Sequence, residues 1–254
     1  MTCHCADLKL SDAEISVKTG EGAVGKIDFE PVDNHGFYFM DTCERSWRNY
    51  YEYYTNEEYE NSTILKCDDD IVFIDLKKLP EFIEFVKKNE YDLVSANVIN
   101  NGVAAYFQQN VLPGNLIPKE LMDLEYPQPN GFEGSLWRSG KKAEALHNHF
   151  ISNPEKFIDG KNEENFWIKT RFSINFFGYK GKDWYRIHDS HGDDEHKLTV
   201  EFVRDRGFKN VLYTNFYVSH LNFGQQLSDG MNTDDLIQKY HGLYDKMVSI
   251  GRFD

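Results

Sequence analysis

Apolar and polar positions change rhythm several times along the 254 residues. Glycines interrupt any period in residues 1–36, where short strands and loops are expected. Trp47, Tyr50, Tyr51 and Tyr54 then recur at the spacing of a helix face, and the polar run TNEEYENS ends it. TILKC (63–67) predicts a buried strand, and IVFID (71–75) resumes the apolar character beyond three aspartates. Leu79, Phe82, Ile83 and Val86 form a helical stripe with Pro80 in the first turn, and YDLVSANVIN (91–100) reads as a core strand. Strand, helix and strand in close succession form a βαβ unit, so an α/β fold with a mostly parallel, mixed sheet between helices is predicted.

Residues 101–165 are rich in Asn, Gly and Pro and show little periodicity, which predicts an irregular insertion shaping a substrate site. FWIKTRFSINFFGYKG (166–181) returns to strand composition. HGDDEHKLTVEFVRDRG (191–207) reads as a helix opened by Asp193 and Asp194, carried by the pairs Leu198/Phe202 and Thr199/Val203, and stopped by Gly207. NVLYTNFYVSHLNF (210–223) predicts a strand with Leu212, Thr214, Phe216 and Val218 on one face. In the tail, 225–254, Leu236, Ile237, Tyr240, Leu243, Tyr244 and Met247 predict a C-terminal helix docked on the body.

Composition narrows the function. A formal net charge of −14 excludes a nucleic-acid backbone as the natural partner, although a phosphorylated small molecule fits if a metal screens the repulsion. No apolar run reaches the length of a membrane span, and the N-terminal residues lack the pattern of a signal peptide, so a cytoplasmic protein is expected. Cysteines at 3, 5, 43 and 67 form no disulfide framework. Cys3-His4-Cys5 has no common zinc spacing and reads as a frayed terminus, and His147 with His149 reads as part of a surface helix.

Asp68, Asp69 and Asp70 carry the chemistry. Three adjacent carboxylates repel one another and call for a cation. In one reading they hold Mg²⁺ or Mn²⁺ against the diphosphate of a sugar nucleotide, and an acid of GDDE (192–195) deprotonates the incoming hydroxyl. In a second, Asp68, Asp70 and Val72 match the D-x-D-x-[TV] motif of haloacid-dehalogenase-type phosphatases, with Asp68 as nucleophile. The polar lead-in WYRIHDSHGDD and the 67 residues before Asp68 weigh against the phosphatase. A non-catalytic sugar-nucleotide-binding module is the third reading.

Five segments in order, CDDDIVF, LVSANVINN, SINFFGYKGKDW, GDDEHKLTVEFVRDRGFKN and FYVSHLNF, resemble nucleotide-sugar glycosyltransferases of the GT-A fold. They are similar to the inverting family of cellulose, chitin and hyaluronan synthases and to small transferases of large algal viruses. The resemblance spans roughly residues 44–224 and implies a single GT-A-like domain over 1–254. It implies that Asp70 binds the metal, that Asp68 reaches the metal or the ribose, and that His220 is a third ligand. Asp194 would be the base, with Asp193 the neighbouring candidate, and Asp69 would point away. The partners implied are a nucleoside-diphosphate sugar donor and a glycan or other hydroxyl acceptor, for hexosyl or deoxyhexosyl transfer. Trp184 and Trp137 are candidates for stacking on the acceptor, whereas Trp167 reads as core. Glu195-His196-Lys197-Leu198 is offset by a residue from the family pattern, and the absence of Q-x-x-R-W points to transfer of one sugar. Only EISV and FYFM in residues 1–43 offer strands for a base pocket, which leaves the donor open.

Overall fold

The computed structural model describes residues 57–252, except 89, 127–134, 163 and 181–192, together with strands 15–18 and 24–27. The predicted aromatic helix at Trp47–Tyr54, the Cys3-His4-Cys5 group, FYFM and Trp184 lie outside the described residues. The chain divides into two units, Met1–Ser46 and Trp47–Asp254. In the first, β1 (Ile15–Lys18) and β2 (Val24–Ile27) pair antiparallel, with Ile15 opposite Ile27.

The second unit is built on a six-stranded mixed sheet. Its strands are β3 (Thr63–Cys67), β4 (Ile71–Ile74), β5 (Leu93–Ile99), β6 (Phe166–Trp167), β7 (Phe176–Lys180) and β8 (Asn210–His220). The order is β3-β7-β5-β8-β4, with β6 also paired to β8. Only β5 and β8 are parallel; every other pair is antiparallel. This corrects the mostly parallel sheet predicted from the βαβ pattern. β3 and β5 do run the same way, but β7 lies between them and is antiparallel to both. TILKC is accordingly a half-buried edge strand, while all seven residues of β5 are buried.

Helix α1 (Leu79–Lys87) buries Leu79, Phe82 and Val86 on one face of the sheet, against Val94, Ala96, Val98, Phe176, Phe216 and Val218. Pro80 sits in its first turn, where its missing N–H costs nothing. On the other face, α2 (Gly102–Asn110) packs near Leu93, Phe177 and Leu212. Helices α3 (Ser135–Arg138), α4 (Gly140–Ser152) and α5 (Pro154–Ile158) contribute Leu136, Ala143, Leu146, Phe150 and Phe157 to a further cluster with Ile99 and Tyr217. The region predicted to be irregular therefore carries the helices α2 to α5 and supplies core. Its period is hidden because polar residues are buried and satisfied. Gln109 donates to the carbonyl of Met122 at 2.6 Å and accepts from the N–H of Leu124 at 2.9 Å. His147, expected on a surface helix, is fully buried in α4.

Helix α6 runs from the acidic motif in three consecutive stretches. It is α-helical at Asp194–His196, π-helical at Lys197–Glu201 and α-helical again at Phe202–Arg206. Asp193 caps it, its side chain accepting from the N–H of His196, and Gly207 ends it at φ 70°. α7 (Gly224–Ser228) and α8 (Thr233–Ser249) follow. α8 docks through Leu236, Tyr240, Leu243 and Met247, with Ile237 half-buried and Tyr244 exposed.

β8 departs from simple alternation. Between the pairs Ser95–Leu212 and Asn97–Tyr217, β5 advances two residues and β8 five, so β8 bulges there. Val211 and Tyr213 share a face with Phe216 and Val218, and Leu212 lies on the other. The predicted common face of Leu212, Thr214, Phe216 and Val218 is thus split. Asn162 and Asn165 satisfy the bulge: Asn165 Oδ1 accepts from the Thr214 N–H, and Asn215 exchanges two hydrogen bonds with the backbone of Asn162. No helix among the described residues is long and apolar enough to cross a membrane.

Candidate metal centre

β3, β5 and β8 run in one direction, so Cys67, Ile99 and His220 end at the same edge of the sheet. The chain leaves β3 at this edge and must reach β4, the opposite edge strand, within a few residues. It does so through a turn in which the N–H of Ile71 donates to the carbonyl of Asp68 at 3.4 Å. Aspartate suits the first position of such a turn. Asp68 is held to β7's side, its N–H donating to the carbonyl of Asn175, and Asp70 to β8's, its carbonyl accepting from Leu221 N–H, both at 2.9 Å. Asp69 is exposed at a corner of the turn. A turn, rather than strand alternation, separates it from its neighbours.

Asp68, Asp70 and His220 thereby converge. His220 Nε2 lies 3.1 Å from Asp70 Oδ1 and 3.9 Å from Asp68 Oδ2. His220 is buried and the two aspartates are half-buried. One ligand atom from each lies within 4.8 Å of the others, so their common centre is within about 2.8 Å of all three, a small contraction from the ~2.0–2.6 Å of divalent metal–ligand bonds. This group can hold a metal ion. Two carboxylates and an imidazole form a mixed oxygen–nitrogen set, open to several divalent ions.

Supporting groups surround the three. Lys66 Nζ pairs with Asp68 Oδ1 and also donates to the Ile174 carbonyl at 2.9 Å. Asn175 Nδ2 donates to Asp68 Oδ2 at 3.0 Å, while its Oδ1 accepts from Asn101 Nδ2 at 3.1 Å. Asn101 also caps α2, accepting from the N–H groups of Val103 and Ala104. Asn100, at φ 68°, donates to the backbone carbonyl of His220 at 3.3 Å. Such outer contacts orient ligands. Lys66 was accessible to sequence reasoning, since it stands two residues before Asp68 in the run TILKCD. Asn101 and Asn175 carry no local signal. His220 Nδ1 is buried without a hydrogen-bond partner among the described residues, and the ring stands 4.5 Å from Phe223.

Asp193 and Asp194 lie outside the three-ligand group. Asp193 pairs with Arg171 at 3.1 Å besides capping α6, and Arg171 also grips Glu195 at 2.7 Å. Burial pushes the Glu195 carboxyl above the usual range, against the pull of Arg171. Asp194 Oδ1 accepts from the Glu195 N–H at 3.0 Å. Residues 171–175 link the two acidic groups, with Arg171 on α6's cap and Asn175 on Asp68, and four residues span at most about 14 Å.

Trp137 is half-buried 6.4 Å from the Phe223 ring, which places it one ring away from His220. Trp167, read as core, is 52% exposed beside Lys169, because β6 is a two-residue strand with only its Phe166 side packed inward. In the histidine pair of α4, His147 Nδ1 meets Tyr240 Oη at 2.7 Å and Nε2 the Leu221 carbonyl at 3.0 Å, and His149 Nε2 meets the Leu116 carbonyl. Comparison with protein-family models, with curated proteins and with solved structures finds no match to this chain.

Proposed function

We propose that this protein is a GT-A-type glycosyltransferase moving one sugar from a nucleoside-diphosphate donor to an acceptor hydroxyl, dependent on Mn²⁺ or Mg²⁺. The observation that supports it is the meeting of Asp68, Asp70 and His220 at the edge where co-directional strands end, the usual place for ligands in α/β sheets. A metal bound there supplies Lewis-acid neutralisation of the departing diphosphate. Asp70 and His220 ligate, while Lys66 and Asn175 aim Asp68 at the metal or the ribose. Asp194 takes the proton of the acceptor hydroxyl, since Asp193 is committed to the helix cap and Arg171. Attack from the face opposite the leaving group inverts the anomeric centre. Trp137 offers a ring for the acceptor sugar.

The phosphatase reading gains less support, because Lys66 and Asn175 already engage both oxygens of Asp68 and His220 has no part in it. The experiment is a thermal-shift panel of nucleoside diphosphates with and without Mn²⁺. Stabilisation requiring both ligands supports the transferase, and the preferred base narrows the donor. No response to any nucleotide sinks the reading. Asp70→Asn and Asp194→Asn are each expected to abolish transfer with the fold intact, and full transfer by either variant removes its assigned role. Phosphate release from a monoester without an acceptor would favour the phosphatase, and metal-dependent binding without turnover the binding module.

A further inference from the structure

Trp167 lies on β6, opposite Val211 near the start of β8, whereas His220 closes that strand. Leu93 pairs with Asn210 and Ile99 with Ser219, six residues apart on β5, so roughly 20 Å of strand separates the two ends. A cavity of about 340 Å³ opens beside Trp167, and Ile168, Lys169, Val203, Phe208 and Lys209 line it too. Its volume falls in the range of small-ligand sites, about 300–1,000 Å³. Tryptophan is on average well buried, yet Trp167 leaves half its surface in solvent, while its neighbour Phe166 stacks inward on Phe107 at 4.9 Å. Lys169 Nζ stands 5.7 Å from the indole centroid. Neither Lys169 Nζ nor Lys209 Nζ has a carboxylate partner among the described residues. Asp92 meets only the backbone N–H of Lys209, at 2.7 Å. On a chain of net charge −14, an exposed indole flanked by two such lysines is a local reversal of sign.

The other polar side chain of the lining, Asn210, is 2% exposed and donates to the Leu198 carbonyl at 3.1 Å, so the wall offers a ligand no neutral hydrogen-bonding side chain. An occupant must lay an apolar face on the indole, give negative charge to the lysines and keep its other polar groups in water. Neutral sugars lack the charge, and phosphate or sulfate lacks the apolar face. A uronate pyranose has a C–H face, a carboxylate, and hydroxyls that stay hydrated at the open mouth. We propose that this cavity anchors an acidic glycan, one uronate stacked on Trp167 with its carboxylate paired to Lys169 and Lys209. Its part in transfer rests on the transferase reading. Across roughly 20 Å of sheet only an extended acceptor reaches both sites, so the anchor selects acidic acceptors and raises the effective concentration of their ends at the metal centre.

Isothermal titration of the full chain with EDTA, which keeps metal from the acidic triad, tests this directly. Physiological ionic strength screens the chain's remote negative charge beyond about 8 Å. Tetragalacturonate or tetramannuronate, whose linkages differ in shape, is expected to bind about tenfold more tightly than the neutral maltotetraose and cellotetraose. Trp167→Ala should weaken the acidic tetramer about tenfold, and Lys169→Ala combined with Lys209→Ala should erase the preference over neutral tetramers. All three side chains are exposed, so the urea midpoint should stay where it is. Acidic tetramers that both bind no tighter than neutral ones overturn the proposal, as does undiminished binding by Trp167→Ala or a preference that survives loss of the two lysines. Uridine monophosphate binding as tightly as the acidic tetramers, and losing affinity in Trp167→Ala, would make this a nucleotide site and overturn the glycan assignment. The nucleoside-diphosphate panel tests the transferase reading separately: acidic-glycan binding here with no nucleotide response would keep this site and sink that reading.

Discussion

His147 couples the stability of the body to pH. Its ring is fully buried between Tyr240 Oη and the Leu221 carbonyl, and Tyr240 Oη reaches Ser219 Oγ at 2.6 Å, so its contacts grip both neighbours of His220. Desolvation pushes the imidazole down to about 3, more than the hydrogen bond to Leu221 raises it. A histidine with a depressed folded value contributes stability that is complete above its unfolded value near 6.5 and is lost as pH falls towards the folded one. Below pH 6.5 the unfolded chain takes up a proton that the native state refuses. At pH 5.0, about 1.5 units below the unfolded pKa, roughly 2 kcal/mol has gone, and about 4 kcal/mol is lost by pH 3, where the folded ring itself begins to protonate. The assay is urea unfolding of the natural protein and of His147→Gln at pH 7.5 and 5.0. Glutamine can donate and accept but cannot titrate, and every other group cancels in the comparison. The natural protein should lose about 2 kcal/mol more than the variant over this interval. Parallel losses, within about 0.5 kcal/mol, would refute the argument that this ring is held neutral by burial.

Two further predictions concern the surroundings of the site. Asn175→Ala removes the amide that fixes Asp68 Oδ2 and should weaken Mn²⁺ binding about 10–100-fold by calorimetry, with the urea midpoint little changed; unchanged affinity would make Asn175 a spacer only. A Cβ on Gly178 would stand 2.7 Å from Val86 Cγ2 and 3.0 Å from Leu65 Cδ2, at the centre of the β3–β7–β5 ladder. Gly178→Ala should therefore cost about 1–3 kcal/mol in urea unfolding, and an unaltered midpoint would mean that α1 can retreat freely.

Elements that bury one clean face, or are buried all round, could be read from the chain. Leu79, Phe82 and Val86 marked α1, Leu236, Tyr240, Leu243 and Met247 marked α8, and the mainly apolar run of β5 marked a core strand. Here local periodicity and tertiary burial agree. The pattern failed where a polar residue is buried and satisfied from afar. Gln109 and His147 look like surface positions, yet their partners at Met122, Leu124, Tyr240 and Leu221 come from other segments and make α2 and α4 part of the core. Likewise, alternation along β8 cannot announce a bulge that is satisfied by Asn162 and Asn165. Strand direction was undetermined for a related reason: β3 and β5 reveal their common sense locally, but not that β7, about eighty residues later, will lie between them. The acidic triplet announced a cation by its own repulsion, because like charges in an apolar run need no distant partner to be conspicuous. Which of its members meet His220, which faces solvent, and that Lys66 and Asn175 steady Asp68 depended on the turn from β3 to β4 and on the register of β7. Those are long-range pairings, set by the packing of the whole sheet rather than by any stretch within it.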